Sequence, residues 1–532
     1  MTPLHFPSRR SAVLARRGMV ATSQPLAAMA GLRILMDGGN AADAAIAVVA
    51  MLNVVEPMST GIGGDCFALV YQAETQQVTA LNGSGRAPAA FTLQEAQRRG
   101  LQSLPLTGPL PVTVPGAASG WEALLEHFGT MRLSECLAPA IASAEGGFPV
   151  SERISAAWHR MAEKVSKDPE ASRVYLPAPK PGDIHRQPDL AATFRTVAEG
   201  GAKAIYSGDL ADRIAAYVQS KGGYLTKEDL SAHTATWDTP IRTTYRDVDV
   251  LEHPPNGQGL AALIALNIVE GYDLAGMDYF DPARWHRMIE AMRAGMADAA
   301  CYVADPAVSQ IPVDGLLSKE YAAWRRSLIQ SDRALEIMAP GQPEHKDTVY
   351  LTVVDAQGNA VSFINSLYHL FGSGLVVPGT GICLQNRGAC FSLEPGHRNA
   401  LAGGKRPYHT IIPAMALRQG RLWLSFGVMG SFMQPQGHLQ VLTNMVDYGM
   451  NPQRALDAPR FRVDERGSLR VSIETGVPLK TRKALAAMGH DVKAETTFTP
   501  GFGSGDVIER DQDSGVLWGA SDPRKDGCAV GF

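Results

Sequence analysis

From Pro25 the apolar residues Leu26, Met29, Leu32 and Leu35 or Met36 return at the spacing of one helical face, with Ser23 as the expected cap and Gly38-Gly39 as the stop. Asn40 then caps a second predicted helix, 41–55, so uniformly small and apolar that it is expected to be buried on most sides. Pro57 ends it. The loop Ser59-Thr60-Gly61-Ile62-Gly63-Gly64-Asp65 leads into a predicted strand, 66–71. A dinucleotide site needs strand, glycine loop and helix in that order; here the helix comes first and the strand last, which argues against a nucleotide role.

The middle third reads as helical, with candidates at 121–128, 137–145, 154–163 and 207–219, the last closing on Gly222-Gly223. Pro254-Pro255-Asn256-Gly257-Gln258-Gly259 forms a turn and cap before another apolar helix, 260–269. Residues 330–346 turn polar, with Pro340, Gly341, Pro343, Glu344, His345 and Lys346 close together, the composition of an exposed linker. After it, 348–355 and 360–367 are β-branched and aromatic and are joined by 356–359, which predicts a hairpin. Two further strands, 381–384 and 422–426, are expected in the same sheet.

Composition narrows the partners. Forty-nine Lys+Arg against 53 Asp+Glu leave a net charge of −4 on 532 residues, too balanced for a nucleic-acid binder. With 45% hydrophobic and 19% charged residues the chain has ample material for a core, and its 53 glycines follow no triplet period. Length alone suggests about three or four domains at roughly 150 residues each, although one large core can span more chain than that. Cys66, Cys136, Cys301, Cys383, Cys390 and Cys528 form no C-x-x-C pair, so neither structural zinc nor a disulfide scaffold is expected. No acidic or histidine cluster has ligand spacing, so no metal or other cofactor is expected either. The first residues carry Arg9, Arg10, Arg16 and Arg17 but no apolar signal core, and no 18-residue apolar run occurs; the expectation is a cytoplasmic protein without a membrane partner.

A polar linker running through Asp347 into Thr348 at a strand start is the arrangement a self-cleaving hydrolase needs. A hydroxyl is a weak nucleophile, and cleavage before Thr348 would give it a free α-amine, of ordinary pKa near about 8, as its own base. Threonine also opens many strands for reasons of β-propensity alone, so the pattern by itself leaves both readings open.

The strings Gly38-Gly39-Asn40-Ala41-Ala42-Asp43-Ala44-Ala45 and Glu56-Pro57-Met58-Ser59-Thr60-Gly61-Ile62-Gly63-Gly64-Asp65 resemble the opening of the γ-glutamyltranspeptidase family. Pro254 to Gly259, Asp347-Thr348, Gly404-Lys405-Arg406-Pro407 and Gly519-Ala520-Ser521-Asp522-Pro523-Arg524 follow in the family's order, from Pro25 to the C-terminus. The resemblance implies an α+β fold: a four-layer αββα sandwich of the N-terminal-nucleophile type. It implies a precursor cut between Asp347 and Thr348 into a large subunit, 1–347, and a small one, 348–532, that stay intertwined as one globular unit, with a dimer of that pair left open. It assigns Thr348 as nucleophile, Ser366 as the second hydroxyl, and the Gly430 and Ser431 amides as the oxyanion hole.

The sequence departs from the family where a γ-glutamyl group would be gripped. Aligned through Phe371-Gly372 and Gly381-Ile382, an asparagine becomes Tyr368, a glutamine becomes Arg387 and an aspartate becomes Cys390. The family's two carboxylate-binding serines fall on His409 and Thr410, and its large-subunit arginine falls on Ser84, with Arg86 two residues away. A substrate ammonium beside an unpaired arginine would be costly, whereas a carboxylate facing Arg387 is favourable. Tyr368, His369 and His409 replace smaller residues, which suggests a shrunken pocket.

The expectation is therefore a self-processing amidohydrolase for a small carboxylate-bearing amide. Oxamate, cleaved to oxalate and ammonia late in purine and allantoin nitrogen scavenging, is the first choice. A glutaryl-type or cephalosporin acylase and a γ-glutamyl hydrolase or transpeptidase are the alternatives. Against these stand plainer readings: Arg387 pairing with Glu394, Cys390 as a small apolar filler, His369 and His409 as core hydrogen-bonders, and a family member that folds without catalysis.

Overall fold

The computed structural model describes residues 6, 8, 10–336, 348–464 and 468–532. Two seven-stranded antiparallel sheets stack face to face. One runs, edge to edge, Cys528–Gly531, Met19–Thr22, Val349–Val354, Ala360–Ser366, Asp65–Gln72, Gln77–Gly83 and Thr236–Asp238. The other runs Val13–Ala15, Leu517–Ser521, Ser504–Arg510, Arg421–Met429, Ala414–Arg418, Val248–Glu252 and Ile241–Tyr245. Each sheet draws strands from both sides of residue 348.

Helices cover the outer faces. Ala41–Val55 is buried at every one of its 15 positions, packed with Pro25–Met36 and Leu133–Gly146 against the first sheet. Its start is fixed by a capping box in which Asn40 accepts from the Asp43 amide and Asp43 from the Asn40 amide. Gly259–Glu270, Pro282–Tyr302 and Met433–Val446 cover the second sheet. Between the sheets Met19, Leu69 and Tyr71 meet Leu251, Met415 and Ile508. The order is helix, sheet, sheet, helix, as the resemblance implied.

The predicted hairpin forms in register, Val349 opposite Asn365 through Val354 opposite Ala360. Several expectations need correction. Helix Pro25–Met36 is capped by Gln24, because the Ser23 hydroxyl is taken by Glu56. Predicted helix 154–163 breaks at Met161 into Glu152–Arg160 and Ala162–Val165. Segment 381–384 makes no strand: its backbone bonds to the adjacent loop, through Ile382 to Val377 and Leu384 to Leu375, with one isolated bridge from Val376 to Cys383. Segment 422–426 is a strand, Arg421–Met429, but in the second sheet, between Ala414–Arg418 and Ser504–Arg510. Within the predicted linker, 330–336 is mostly exposed, and 337–347, including Asp347, lies outside the described residues. Among the described residues no helix is long and apolar enough to cross a membrane.

Candidate active site

Thr348 immediately precedes Val349–Val354 and is fully buried. Residues 348, 350 and 352 share the face toward the second sheet. Thr352 Oγ1 donates to Ser425 Oγ at 2.6 Å, and the Tyr350 ring packs so closely on Gly427 that a side chain there would overlap it. Two residues further in each direction, Thr348 comes over the end of Arg421–Met429, where Gly430 and Ser431 follow. Both have positive φ, +119° and +55°, a backbone form costly for serine. Their amides have no acceptor among the described residues and lie just before helix Met433–Val446, whose dipole favours negative charge at that end. This is the arrangement an oxyanion hole requires.

Thr348 Oγ1 and Ser366 Oγ are 3.3 Å apart, and Ser366 Oγ accepts from the Tyr368 amide at 2.8 Å. The two hydroxyls are thus side by side. On the other side, Lys525 Nζ donates to the Thr348 carbonyl at 3.1 Å and to Glu56 Oε2 at 3.3 Å, while the Ser23 hydroxyl donates to Glu56 Oε1.

Beyond Ser366 lies a buried polar group. Arg387 is fully buried, donates from Nη1 to Thr410 Oγ1 at 2.8 Å, and lies over the Tyr368 ring, 4.4 Å from its centre. Its Nε and Nη2 have no hydrogen-bond partner, and no Glu394 ion pair forms among the described residues. Asp65, paired across the strands with Ser366, accepts from His409 Nε2 at 2.7 Å, Gln385 Nε2 at 2.9 Å and the Gly85 amide at 2.8 Å. Burial alone would raise the Asp65 pKa, but His409 and Arg387 outweigh it and hold it low. Burial first, then the Arg387 charge, lowers the His409 pKa. His409 Nδ1 lies 3.1 Å from Asn256 Nδ2 and 2.9 Å from the Pro407 carbonyl, so the ring is held at both nitrogens. Gln258 Nε2 bridges the carbonyls of Thr410 and Ser431 at 2.7 and 2.8 Å, tying the Arg387 group to the oxyanion loop.

Thr348, Ser366, Tyr368, Arg387, His409, Thr410, Gly430 and Ser431 thus gather at one end of the two sheets. Two candidates stand apart. Arg86 is partly exposed, and its charge bears on Arg406, whose pKa burial and Arg86 bring down to about 10, with no contact to Arg387. Cys390 closes the short 3-10 turn Arg387–Cys390 and packs against the second core, without a polar side-chain contact. The sequence reading gave no role to Asp65, Gln258, Glu56 or Lys525. Three of them lie inside motifs already quoted, and Lys525 directly follows one, so position within those strings was the available signal; Gln385 carried none.

One group of described residues has metal-like spacing: His286, Glu290 and His490. Its members already bond to one another and to nearby groups, with His490 Nδ1 left without a partner among the described residues. His286 Nε2 bonds the Gln330 carbonyl at 2.7 Å, His286 Nδ1 meets His490 Nε2 at 2.8 Å, and Glu290 takes Arg293 Nη1 and the Leu335 amide. A carboxylate neutralised by a buried arginine is a poor ligand for a divalent cation.

A buried threonine at a strand start, a second hydroxyl and a free amide pair between two stacked sheets define an N-terminal-nucleophile hydrolase fold. The chain belongs to the gamma-glutamyltranspeptidase family, whose model matches residues 27–532. It is 40% identical over 529 residues to the glutathione hydrolase-like YwrD proenzyme of Bacillus subtilis, covering 98% of this chain and 99% of that one. It is 36% identical over 535 residues to the oxamate amidohydrolase proenzyme of Klebsiella pneumoniae, covering 98% and 100%. The crystal structure of cephalosporin acylase from Bacillus halodurans superimposes with a TM-score of 0.93 at 46% identity, covering 100% and 98%. The first two of these relatives are proenzymes by name, the third is an acylase, and a solved gamma-glutamyltranspeptidase of Helicobacter pylori shares the fold.

Proposed function

We propose that the chain cuts itself between Asp347 and Thr348 and then hydrolyses an amide whose acyl group carries a carboxylate but no α-ammonium. The observation that carries this reading is Arg387: fully buried, with two guanidinium nitrogens unpartnered among the described residues and the remaining one bonded to a neutral hydroxyl. A substrate carboxylate supplies the missing partner, and a buried cation left without one is penalised by several kcal/mol.

In the cut enzyme the α-amine of Thr348 takes the proton of Oγ1 as that oxygen attacks the amide carbon. The Gly430 and Ser431 amides receive the charge on the carbonyl oxygen. The new C–O ester bond forms, the C–N bond breaks, and the amine departs with the relayed proton; water then attacks the ester and frees the acid and Thr348. Ser366 keeps the Thr348 hydroxyl in line. Asp65 offsets part of the Arg387 charge, and His409 holds Asp65 in place.

Oxamate is the shortest amide of this class. A longer, glutaryl-type acyl chain has a specific observation in its favour: in the chain of contacts from Thr348, Ser366 and Tyr368 intervene before Arg387. The likeness to a cephalosporin acylase agrees with it. The test measures amine release from oxamate, glutaryl amide and γ-glutamyl anilide, with Thr348→Ala as blank. Cleavage of either carboxylate amide above the γ-glutamyl compound supports the proposal, and the two rank the acyl length. Preference for the γ-glutamyl anilide overturns it.

A further inference from the structure

Thr348 has a second flank, which the acyl group does not use. The neighbouring strands Met19–Thr22 and Cys528–Gly531 bring Ser23 and Lys525 beside it, opposite the side that Ser366 and Asp65 occupy. Beyond Lys525 opens a cavity of about 150 Å³, with Met58, Ile154 and Pro500 as apolar walls and Arg153 and Arg160 among its lining. It is about tenfold the roughly 10–15 Å³ that a water-sized molecule such as ammonia needs.

The acids around this cavity are engaged. Glu56 holds Ser23 and Lys525, and Asp526 accepts from Ser151 Oγ at 2.6 Å. Arg524 is spent on Glu474 and Asp522. Arg153 and Arg160 are different. They lie seven residues apart on helix Glu152–Arg160, hence on one face, and neither has an ion pair or side-chain hydrogen bond among the described residues. An apolar trough with two uncommitted cations, adjoining the strand start that bears the nucleophile, matches an amine with an apolar body and an anionic group.

We infer that this cavity is the subsite of the departing amine and that it takes a carboxylate-bearing, largely apolar or aromatic amine in preference to ammonia. The inference rests on Thr348 as nucleophile with the acyl group on the Arg387 side. In that geometry the C–N bond points away from Arg387, toward Lys525.

The experiment uses the processed enzyme and one acyl group, glutaryl, on three amines: ammonia, aniline and 3-aminobenzoate. The aminobenzoate amide is expected to have the highest kcat/KM. In Arg153→Gln/Arg160→Gln its advantage over the anilide falls by about fivefold, the scale of two exposed ion pairs. Ala156→Trp, at an exposed position on the cavity wall, lowers kcat/KM for both aromatic amides relative to the primary amide. A primary amide cleaved best, or an aminobenzoate-to-anilide ratio unmoved by the double substitution, overturns the inference. If no glutaryl amide reacts, the acyl reading has failed instead, and the same three amines on a γ-glutamyl group repeat the comparison.

Discussion

On the Arg387 flank of Thr348, Asp65 accepts three hydrogen bonds, His409 is held at both ring nitrogens, and all three side chains are fully buried. On the Lys525 flank a half-open trough is edged by two exposed arginines that bond to nothing among the described residues. The first flank is rigid because most buried polar groups there have a fixed neighbour, the exceptions among the described residues including Arg387 Nε and Nη2, Gln385 Oε1 and Ser431 Oγ. The second is adaptable. A site built in this way discriminates strictly on one half of its amide and loosely on the other, because unpartnered buried groups reject the wrong ligand far more strongly than exposed charges do.

The sharpest way to break this comparison is to remove its midpoint. Thr348→Ala is expected to remain one 56.9 kDa chain by intact mass, where the wild type gives fragments of roughly two thirds and one third of that mass. It should lose about 10⁴-fold or more in turnover. Arg387→Gln comes next: kcat/KM for carboxylate-bearing amides falls by about 100-fold, matching loss of a charged hydrogen-bonded pair of about 2–3 kcal/mol, whichever amine is attached. Arg387→Lys restores little, since an ammonium cannot reproduce the planar fork stacked on Tyr368.

A smaller effect reads the rigidity of the buried regions through pH. Burial lowers the His409 pKa, and brings His233 and His185 down to about 4 and His253 and His490 to about 3. Their ordinary value in the unfolded chain is near 6.5, so below it the unfolded chain binds more protons than the folded one. Stability is thus full above about pH 6.5 and declines as pH falls toward about 4; melting temperatures between pH 7 and pH 5 check the slope. The smallest expected effect is at Cys390: Cys390→Ala changes kcat/KM by less than about twofold, because the thiol packs against core rather than against Arg387.

Much of this was legible beforehand. The largely apolar helix Ala41–Val55 and the hairpin follow from period and turn residues, whereas the nearness of Ser366 to Thr348 was implied by the family resemblance. What pattern could not supply was which sheet a buried strand joins: 422–426 has the same apolar and aromatic character whichever partners it takes, and only Ala414–Arg418 and Ser504–Arg510 decide it. Segment 381–384 looked like a strand for the same reason, yet a nearer loop took its hydrogen bonds. In the site, residue substitutions pointed to Arg387 and Thr410, but not to Asp65 as the partner of His409, since a contact between positions 65 and 409 leaves no trace in local spacing. Arg86 was close in sequence to an expected position and far from it in contacts.

Both sheets interleave strands from before and after residue 348. A chain severed there would be two interleaved threads: its halves would part only by unfolding, and once melted they would have to find each other again by collision. If the proposed cut is made, assembly becomes a one-way passage, guided by a covalent tie that the cut removes, and heat-inactivated cut protein has no unimolecular road home.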